Sequence, residues 1–246
     1  HTHMDHFCGF DRLLRICLGR DTGLRLYGPP GFIAQVEHKL AGYTWNLVER
    51  YPGDFVIEAW EIDEGRRAHG RRLRCRERFR PEPLPARQVE GGVLLDEPGF
   101  RVRAAVLDHG IPCLGFAIEE KAHVNVWKNR LTELGLPVGP WLKELKDAVV
   151  GGAPDDTPVR AWWRDGDGDH ERHFTVGALR DDILRLVPGE RIAYVTDVAF
   201  HEENRRRIVD LATGATRLFI ECAFLDEDVG LAAARSHLTA GQAGRI

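Results

Sequence analysis

Methionine is nearly missing from this sequence: Met4 is the single one among 246 residues. With no initiator ahead of His1, the sequence is expected to begin inside a longer natural chain. No stretch approaches the roughly 18 apolar residues that a bilayer-spanning helix needs, so no membrane is expected as a partner. No signal peptide is visible, but an interior start leaves that second absence uninformative. Cysteine pairs at zinc-ribbon or redox spacing are also lacking. The five cysteines, Cys8, Cys17, Cys75, Cys113 and Cys222, are scattered and odd in number, which argues against a disulfide framework and for a reducing, cytoplasmic location. Basic charge is not in excess: the formal net charge is -4, which argues against a wholly basic nucleic-acid coat and leaves local patches open.

What is present is an ordinary globular mixture, 43% hydrophobic and 29% charged, long enough for one large domain. Phe10, Leu13, Leu14, Cys17 and Leu18 recur at helical spacing, Leu24 to Tyr27 reads as a strand, and Gly28 to Gly31 as a turn. A helix follows at Phe32 to Leu40 and a strand at Phe55 to Ile62. From Arg71 to Arg80 the period is two, placing Leu73, Cys75 and Phe79 on one face and Arg72, Arg74, Arg76, Arg78 and Arg80 on the other. Further strands are expected at Phe100 to Leu107, Leu114 to Ile118, Ile192 to Val195 and Leu218 to Phe224. Two of these end in metal-ligand types, at Asp108-His109 and Thr196-Asp197. Residues 121 to 190 interrupt the rhythm with Gly135-Leu136-Pro137, Gly139-Pro140-Trp141 and Gly151-Gly152, and are read as an inserted arm. Leu231 to Arg235 reads as a helix, and Thr239 with Gln242 as a capping box.

The opening string His1-Thr2-His3-Met4-Asp5-His6 carries the strongest chemistry. At a strand end His1 and His3 point the same way and can reach one ion, while Asp5 and His6, in the following turn, can reach a second. Imidazole nitrogen with carboxylate oxygen suits zinc. A histidine-rich surface turn or an engineered tag is the bland alternative. For His109 the alternative is a buried strand-end histidine, and for Asp197 a helix cap before Glu202.

The string resembles the signature of the metallo-β-lactamase superfamily, and the later motifs resemble its ribonuclease Z branch. Asp108-His109-Gly110-Ile111-Pro112-Cys113-Leu114-Gly115-Phe116 is similar to that branch's strand-end histidine segment, and Gly135 to Trp141 to its Gly-Pro-rich arm. Tyr194-Val195-Thr196-Asp197 is similar to the strand ending in a bridging aspartate, Ile220-Glu221-Cys222-Ala223-Phe224 to the His-Glu-Ala-Thr strand, and Ser236-His237-Leu238-Thr239 to the His-Ser-Thr motif. The resemblance implies an α/β, metallo-β-lactamase fold, an αββα four-layer sandwich. It would be a single domain over residues 1–246, truncated at both ends, with 121–190 as an inserted arm or exosite. It implies two zinc ions per subunit in the intact protein, one held by His1, His3 and His109, the other by Asp5 and His6, with Asp197 bridging. A further histidine ligand is expected beyond Ile246, and further strands before His1.

The implied reaction is removal of the 3′ trailer from precursor tRNA by a homodimeric endoribonuclease. Asp5 would orient the attacking water and take its proton, His237 would protonate the departing ribose oxygen, and Glu221 would orient His237. The residues themselves establish only metal-assisted hydrolysis. Another phosphodiester or ester substrate, or a non-catalytic RNA-binding protein that keeps metal as a staple, are the alternatives.

For RNA contact the arm is the better candidate, with Trp127, Lys128, Arg130, Lys143 and Lys146. Trp162 and Trp163 are expected to pack the arm's own core. The arginine-rich face of Arg72 to Arg80 is read as a solvated edge strand before it is read as a phosphate grip. Asp165-Gly166-Asp167-Gly168-Asp169 imitates a calcium loop but carries His170 and Val176 where such a loop needs glycine and glutamate, so a hairpin turn between Ala161–Trp163 and His173–Val176 is expected instead.

Overall fold

The computed structural model describes residues 1–65, 67–121 and 123–246. The chain divides into two compact units, one of His1–Glu97, Arg101–Glu119 and Arg191–Ile246, the other of Pro98–Phe100 and Glu120–Glu190. The first unit opens with α1 (Met4–Phe7), α2 (Phe10–Cys17), β1 (Gly23–Gly28) and α3 (Phe32–Ala41). It continues through β2 (Val56–Ile62), β3 (Arg67–Arg74), β4 (Pro81–Gln88), β5 (Val93–Asp96), β6 (Phe100–Asp108) and β7 (Pro112–Glu120). The second unit supplies β8 (His123–Val126), α4 (Lys128–Glu133), α5 (Trp141–Val150), β9 (Pro158–Asp165), β10 (Gly168–Thr175), α6 (Val176–Ile183) and β11 (Leu184–Val187). The chain returns to the first with β12 (Arg191–Val195), α7 (Glu202–Ala212), β13 (Arg217–Ile220), α8 (Val229–Ala234) and α9 (Ala240–Ala243).

Strand alternation sorts the first unit's core into layers. In the sheet β1-β2-β3-β4, Ile57 and Ala59 face Phe32, Val36 and Leu40 of α3 and Phe10 and Leu14 of α2. Trp60 and Ile62, on the other face of β2, share a cluster with Leu114 and Phe116 of β7. In the second sheet, ordered β13-β12-β7-β6-β5, Cys113 and Ala117 turn away from that cluster and join Ala193 and Val195 of β12 with Ile208 and Leu211 of α7. Both sheets are therefore buried on two faces, and the order helix, sheet, sheet, helix is the expected αββα sandwich. Close packing at the sheet–sheet face constrains Gly70, where a Cβ would lie 2.7 Å from the Trp60 ring.

Three strand expectations are corrected, the first being that the arginine-rich strand is an edge: β3 pairs with β2 on one side and β4 on the other. The arginine-rich strand does not run to Arg80: β3 stops at Arg74, Cys75–Glu77 forms a 3-10 turn, and Arg78 and Phe79 have φ of 55° and 56°. Leu73, Cys75 and Phe79 are all buried nonetheless, because the turn carries Phe79 back into the same core. The strand expected at Leu218 to Phe224 stops at Ile220, since Glu221 is drawn into side-chain bonds described below, and Phe224 makes an isolated bridge to Thr239.

In the second unit β9 and β10 pair antiparallel with Trp163 opposite His170, and β8 pairs with β11. The hairpin expected from the Asp-Gly repeat is present: Asp165 Oδ1 accepts the Asp167 N–H at 2.9 Å. Trp141 of α5 is fully buried with Leu131, Leu145, Leu179 and Ile183, and Trp163 packs on that cluster as expected, whereas Trp162, on the opposite face of β9, is exposed and does not join it. Among the described residues no helix is long and apolar enough to cross a membrane.

Candidate metal centre

Residues 1–3 form no strand; His3 is the extended residue (ψ 149°) that precedes α1. The turn into α1 nevertheless brings the rings together: His1 lies 4.5 Å from His3, 4.5 Å from His6 and 5.1 Å from His109, centroid to centroid. The His1 side chain is only 2% exposed, whereas Asp5, on α1, is 77% exposed.

His109 follows β6 in a tight turn. Gly110 takes φ +72° and donates its N–H to Asp108 Oδ1 at 2.8 Å. His109 Nδ1 lies 2.8 Å from the carbonyl of Ser236, which can only accept, so Nδ1 carries the proton and Nε2 offers a bare lone pair. Ser236 is itself in the left-handed region, φ +58°, which aims that carbonyl at the ring.

Asp197, just beyond β12, gathers these groups. Its Oδ2 lies 2.8 Å from His6 Nε2, 3.5 Å from His1 Nε2 and 3.6 Å from His109 Nε2. Three ligand sets share it: His1, His3 and His109 with Asp197; Asp5 and His6 with Asp197; and Glu221 and His237 with Asp197, the donor atoms of each set lying within 4.8 Å of one another. The structure thus brings together every residue that the sequence nominates for metal or proton transfer.

The donor chemistry fits a zinc pair. His1 Nε2 is buried and makes no hydrogen bond, an arrangement that costs about 1–3 kcal/mol if nothing else binds the lone pair. A cation among three imidazoles and a carboxylate removes that cost. The nearby Cys113 is no competitor: its thiol bonds the Asp197 backbone carbonyl at 3.2 Å, and burial pushes it up to about 12, so it stays neutral. Nitrogen and oxygen donors alone remain, a set zinc accepts.

His237 sits at the edge of this group, its ring 4.8 Å from that of His109. Its Nδ1 donates to Glu221 at 3.0 Å and 3.1 Å to the two carboxylate oxygens. Glu221 also accepts the N–H groups of Val198 at 2.7 Å and Leu238 at 3.3 Å, which fixes its own position. The predicted capping box is present: Thr239 and Gln242 exchange side-chain bonds with each other's backbone, and Asp226 accepts from Thr239 Oγ1 and the Gly241 N–H.

Sequence reasoning missed three supporting residues. Ser236 supplies the carbonyl that sets His109, His201 caps α7 through its side chain, and Asn204 is a buried polar residue beside Asp108. The helix-cap alternative for Asp197 therefore falls to His201. The buried-histidine alternative for His109 holds only at Nδ1, since Nε2 faces Asp197. A polar residue at a core position of α7's apolar stripe was the available signal for Asn204.

In the second unit Lys128, Lys143 and Lys146 line one groove of about 690 Å³, and Trp127 stands 58% exposed. Arg130 is tied to Glu133. In the first unit Arg72 pairs with Glu58 at 3.1 Å, Arg74 with Asp54 at 3.1 Å and Arg78 with Glu49 at 2.8 Å, so these arginines are neutralised in place.

No family model matches the chain. Curated relatives do: a ribonuclease Z of Deinococcus radiodurans is 32% identical over the whole chain, which covers 69% of that relative, and one of Thermobifida fusca is 30% identical over 95% of the chain and 63% of its own length. Among solved structures, the short form of human tRNase Z superposes on all of the chain and 64% of its own with a TM-score of 0.50 at 16% identity, a likeness of fold. The chain spans about two thirds of the length of the curated relatives it matches.

Proposed function

The chain belongs to the ribonuclease Z family, endoribonucleases that hydrolyse phosphodiester bonds, and on that premise we propose that it is the zinc-dependent catalytic part of an enzyme that cuts precursor tRNA after the discriminator base, removing the 3′ trailer and leaving a 3′ hydroxyl. The observation that carries the reading is the Asp197 carboxylate, with one oxygen within 3.6 Å of three imidazole nitrogens, two from the opening segment and one from the turn after β6. A structural aspartate needs one such partner; a bridging ligand needs several.

In this reading His1, His3 and His109 would hold one zinc and Asp5 and His6 the other, with Asp197 available to both. When bound, the pair supplies a water acidic enough to ionise near neutral pH and positive charge to balance the phosphate. The remaining work belongs to the chain. Asp5, whose side chain is 77% exposed, would accept a proton from the attacking water. Ser236 keeps the His109 Nε2 lone pair free. Glu221 accepts the His237 Nδ1–H, which leaves Nε2 free of that contact; as the imidazolium, His237 also carries a proton on Nε2, which it would hand to the departing ribose oxygen, ending as the neutral Nδ1–H ring. The lysines of the second unit grip the tRNA body, and the working assembly is a cytoplasmic homodimer.

The test is 3′-trailer cleavage of precursor tRNA, run beside hydrolysis of bis(p-nitrophenyl) phosphate. Asp5→Ala is expected to lower cleavage by about 10²–10⁴-fold, the range for a positioned proton acceptor. Cleavage unaffected by that change would remove Asp5 from the mechanism. Hydrolysis of the small diester with no preference for precursor tRNA would overturn the substrate assignment while leaving the metal chemistry intact.

A further inference from the structure

Asp108 closes β6 where the loop carrying His109 begins, and Ala199 lies in the loop that follows Asp197. One side chain of α7 bonds to both of these loop ends. Asn204 is 2% exposed, yet both polar atoms of its side chain are satisfied by main chain. Its Oδ1 accepts the Asp108 N–H at 2.9 Å, and its Nδ2 donates to the Asp108 carbonyl at 2.8 Å and to the Ala199 carbonyl at 2.7 Å. The Ala199 N–H adds a direct bond to the same Asp108 carbonyl at 2.8 Å. His201, the cap of the same helix, accepts the Asn204 N–H at 3.3 Å and approaches Asp108 Oδ2 at 3.2 Å, so the first turn of α7 grips both the backbone and the side chain of Asp108.

We propose that Asn204 is the positioning residue of the metal centre: it fixes the separation of His109 from Asp197, and through it whether one cation can meet both. The inference rests on the metal-centre reading given above. A side chain serving only the core would be apolar here, like Ile208 one turn further along α7, which is fully buried. An amide is the group that can both accept from an N–H and donate to two carbonyls, and those three bonds cross between the loops that carry the ligands. Removing it leaves the Asp108 N–H and the Ala199 carbonyl without these partners, while the Ala199 N–H bond still joins the loops. The expected result is a loosened centre in a folded protein.

The experiment measures zinc affinity of the purified protein by competition with a chromophoric chelator, together with the ligand-field spectrum after cobalt substitution and the thermal melt of the metal-free form. Asn204→Ala and Asn204→Ser are compared with wild type and with Ile208→Val, which trims the buried stripe of the same helix without removing a hydrogen bond to either loop. Both Asn204 variants are expected to bind zinc about 10–100-fold more weakly and to show an altered cobalt spectrum, the range found when groups that orient metal ligands are lost. Ile208→Val is expected to keep wild-type affinity and spectrum whatever its melt. Should wild type bind zinc while either folded Asn204 variant matches it in affinity and spectrum, or weakens no more than Ile208→Val, the inference is overturned and the metal centre stands. Should wild type itself take up no zinc, both fall.

Discussion

Gly110→Ala tests how the centre is built, because it perturbs a ligand without touching one. Gly110 has φ +72°, and a Cβ added there would lie 3.1 Å from Ser236 Oγ and 3.9 Å from Ser236 Cβ. The left-handed backbone alone costs an alanine about 1–2 kcal/mol. At roughly 2–4 °C per kcal/mol for a chain of this size, the metal-free protein should melt about 2–8 °C lower. The added methyl has a second effect: Ser236 must give by a few tenths of an ångström, and its carbonyl is the group that holds His109 Nδ1 at 2.8 Å. Zinc affinity should therefore fall by about tenfold or more. Gly135→Ala is the matched control, since Gly135 has φ +65° with nothing within 4 Å of the added Cβ. Calorimetry and chelator competition on both variants separate backbone cost from ligand displacement. If Gly110→Ala lowers zinc affinity no more than Gly135→Ala does, the Ser236 carbonyl does not set the His109 ring and the reasoning fails.

Glu221→Gln replaces one of two acceptor oxygens with an amide donor facing the N–H groups of Val198, Leu238 and His237, and it should cost about 1–3 kcal/mol in stability while lowering trailer cleavage more than zinc affinity. Equal losses in both would place Glu221 in metal binding instead of in orienting His237. Alkylation of the native protein at neutral pH should modify Cys8 and Cys222, which are exposed, and spare Cys75 and Cys113, which burial pushes up to about 11 and about 12. A raised thiol stabilises the fold fully below its ordinary value of 9.0 and loses that contribution as pH climbs towards the raised value, so the melt should fall across that alkaline window and less so in Cys113→Ala. Lys143→Ala with Lys146→Ala should weaken precursor tRNA binding and lower the salt dependence of log K by roughly 1 for each phosphate no longer neutralised, with hydrolysis of a small diester unchanged.

Local patterns marked individual elements, while the four-layer order was implied by the resemblance to the metallo-β-lactamase superfamily. Helical spacing marked α2 and α3, period two marked the second half of β3, and the Thr239–Gln242 capping box announced α9. The pattern failed where tertiary bonds override alternation. Arg74 to Arg80 kept an alternating sequence through a turn with two left-handed residues, because Phe79 still reached the core. Glu221 ended β13 early because its carboxylate holds four polar contacts that a ladder residue could not keep. His109 and Asp197 were legible because they stand just beyond strand ends, and His1, His3, Asp5 and His6 because four ligand-type residues crowd into six, although that segment runs into a helix and not out of a strand. Ser236, His201 and Asn204 act through backbone carbonyls and amides, and no residue type advertises which backbone group it will meet.

The central claim is that residues scattered along the chain converge on a pair of cations sharing Asp197. Metal content of the purified protein after zinc loading and desalting, measured beside Asp197→Ala, tests this most directly. The account predicts two zinc equivalents per chain in wild type and loss of both in the variant, which keeps its secondary structure. Asp197→Ala that retains two equivalents, or a wild type that retains none, would contradict it.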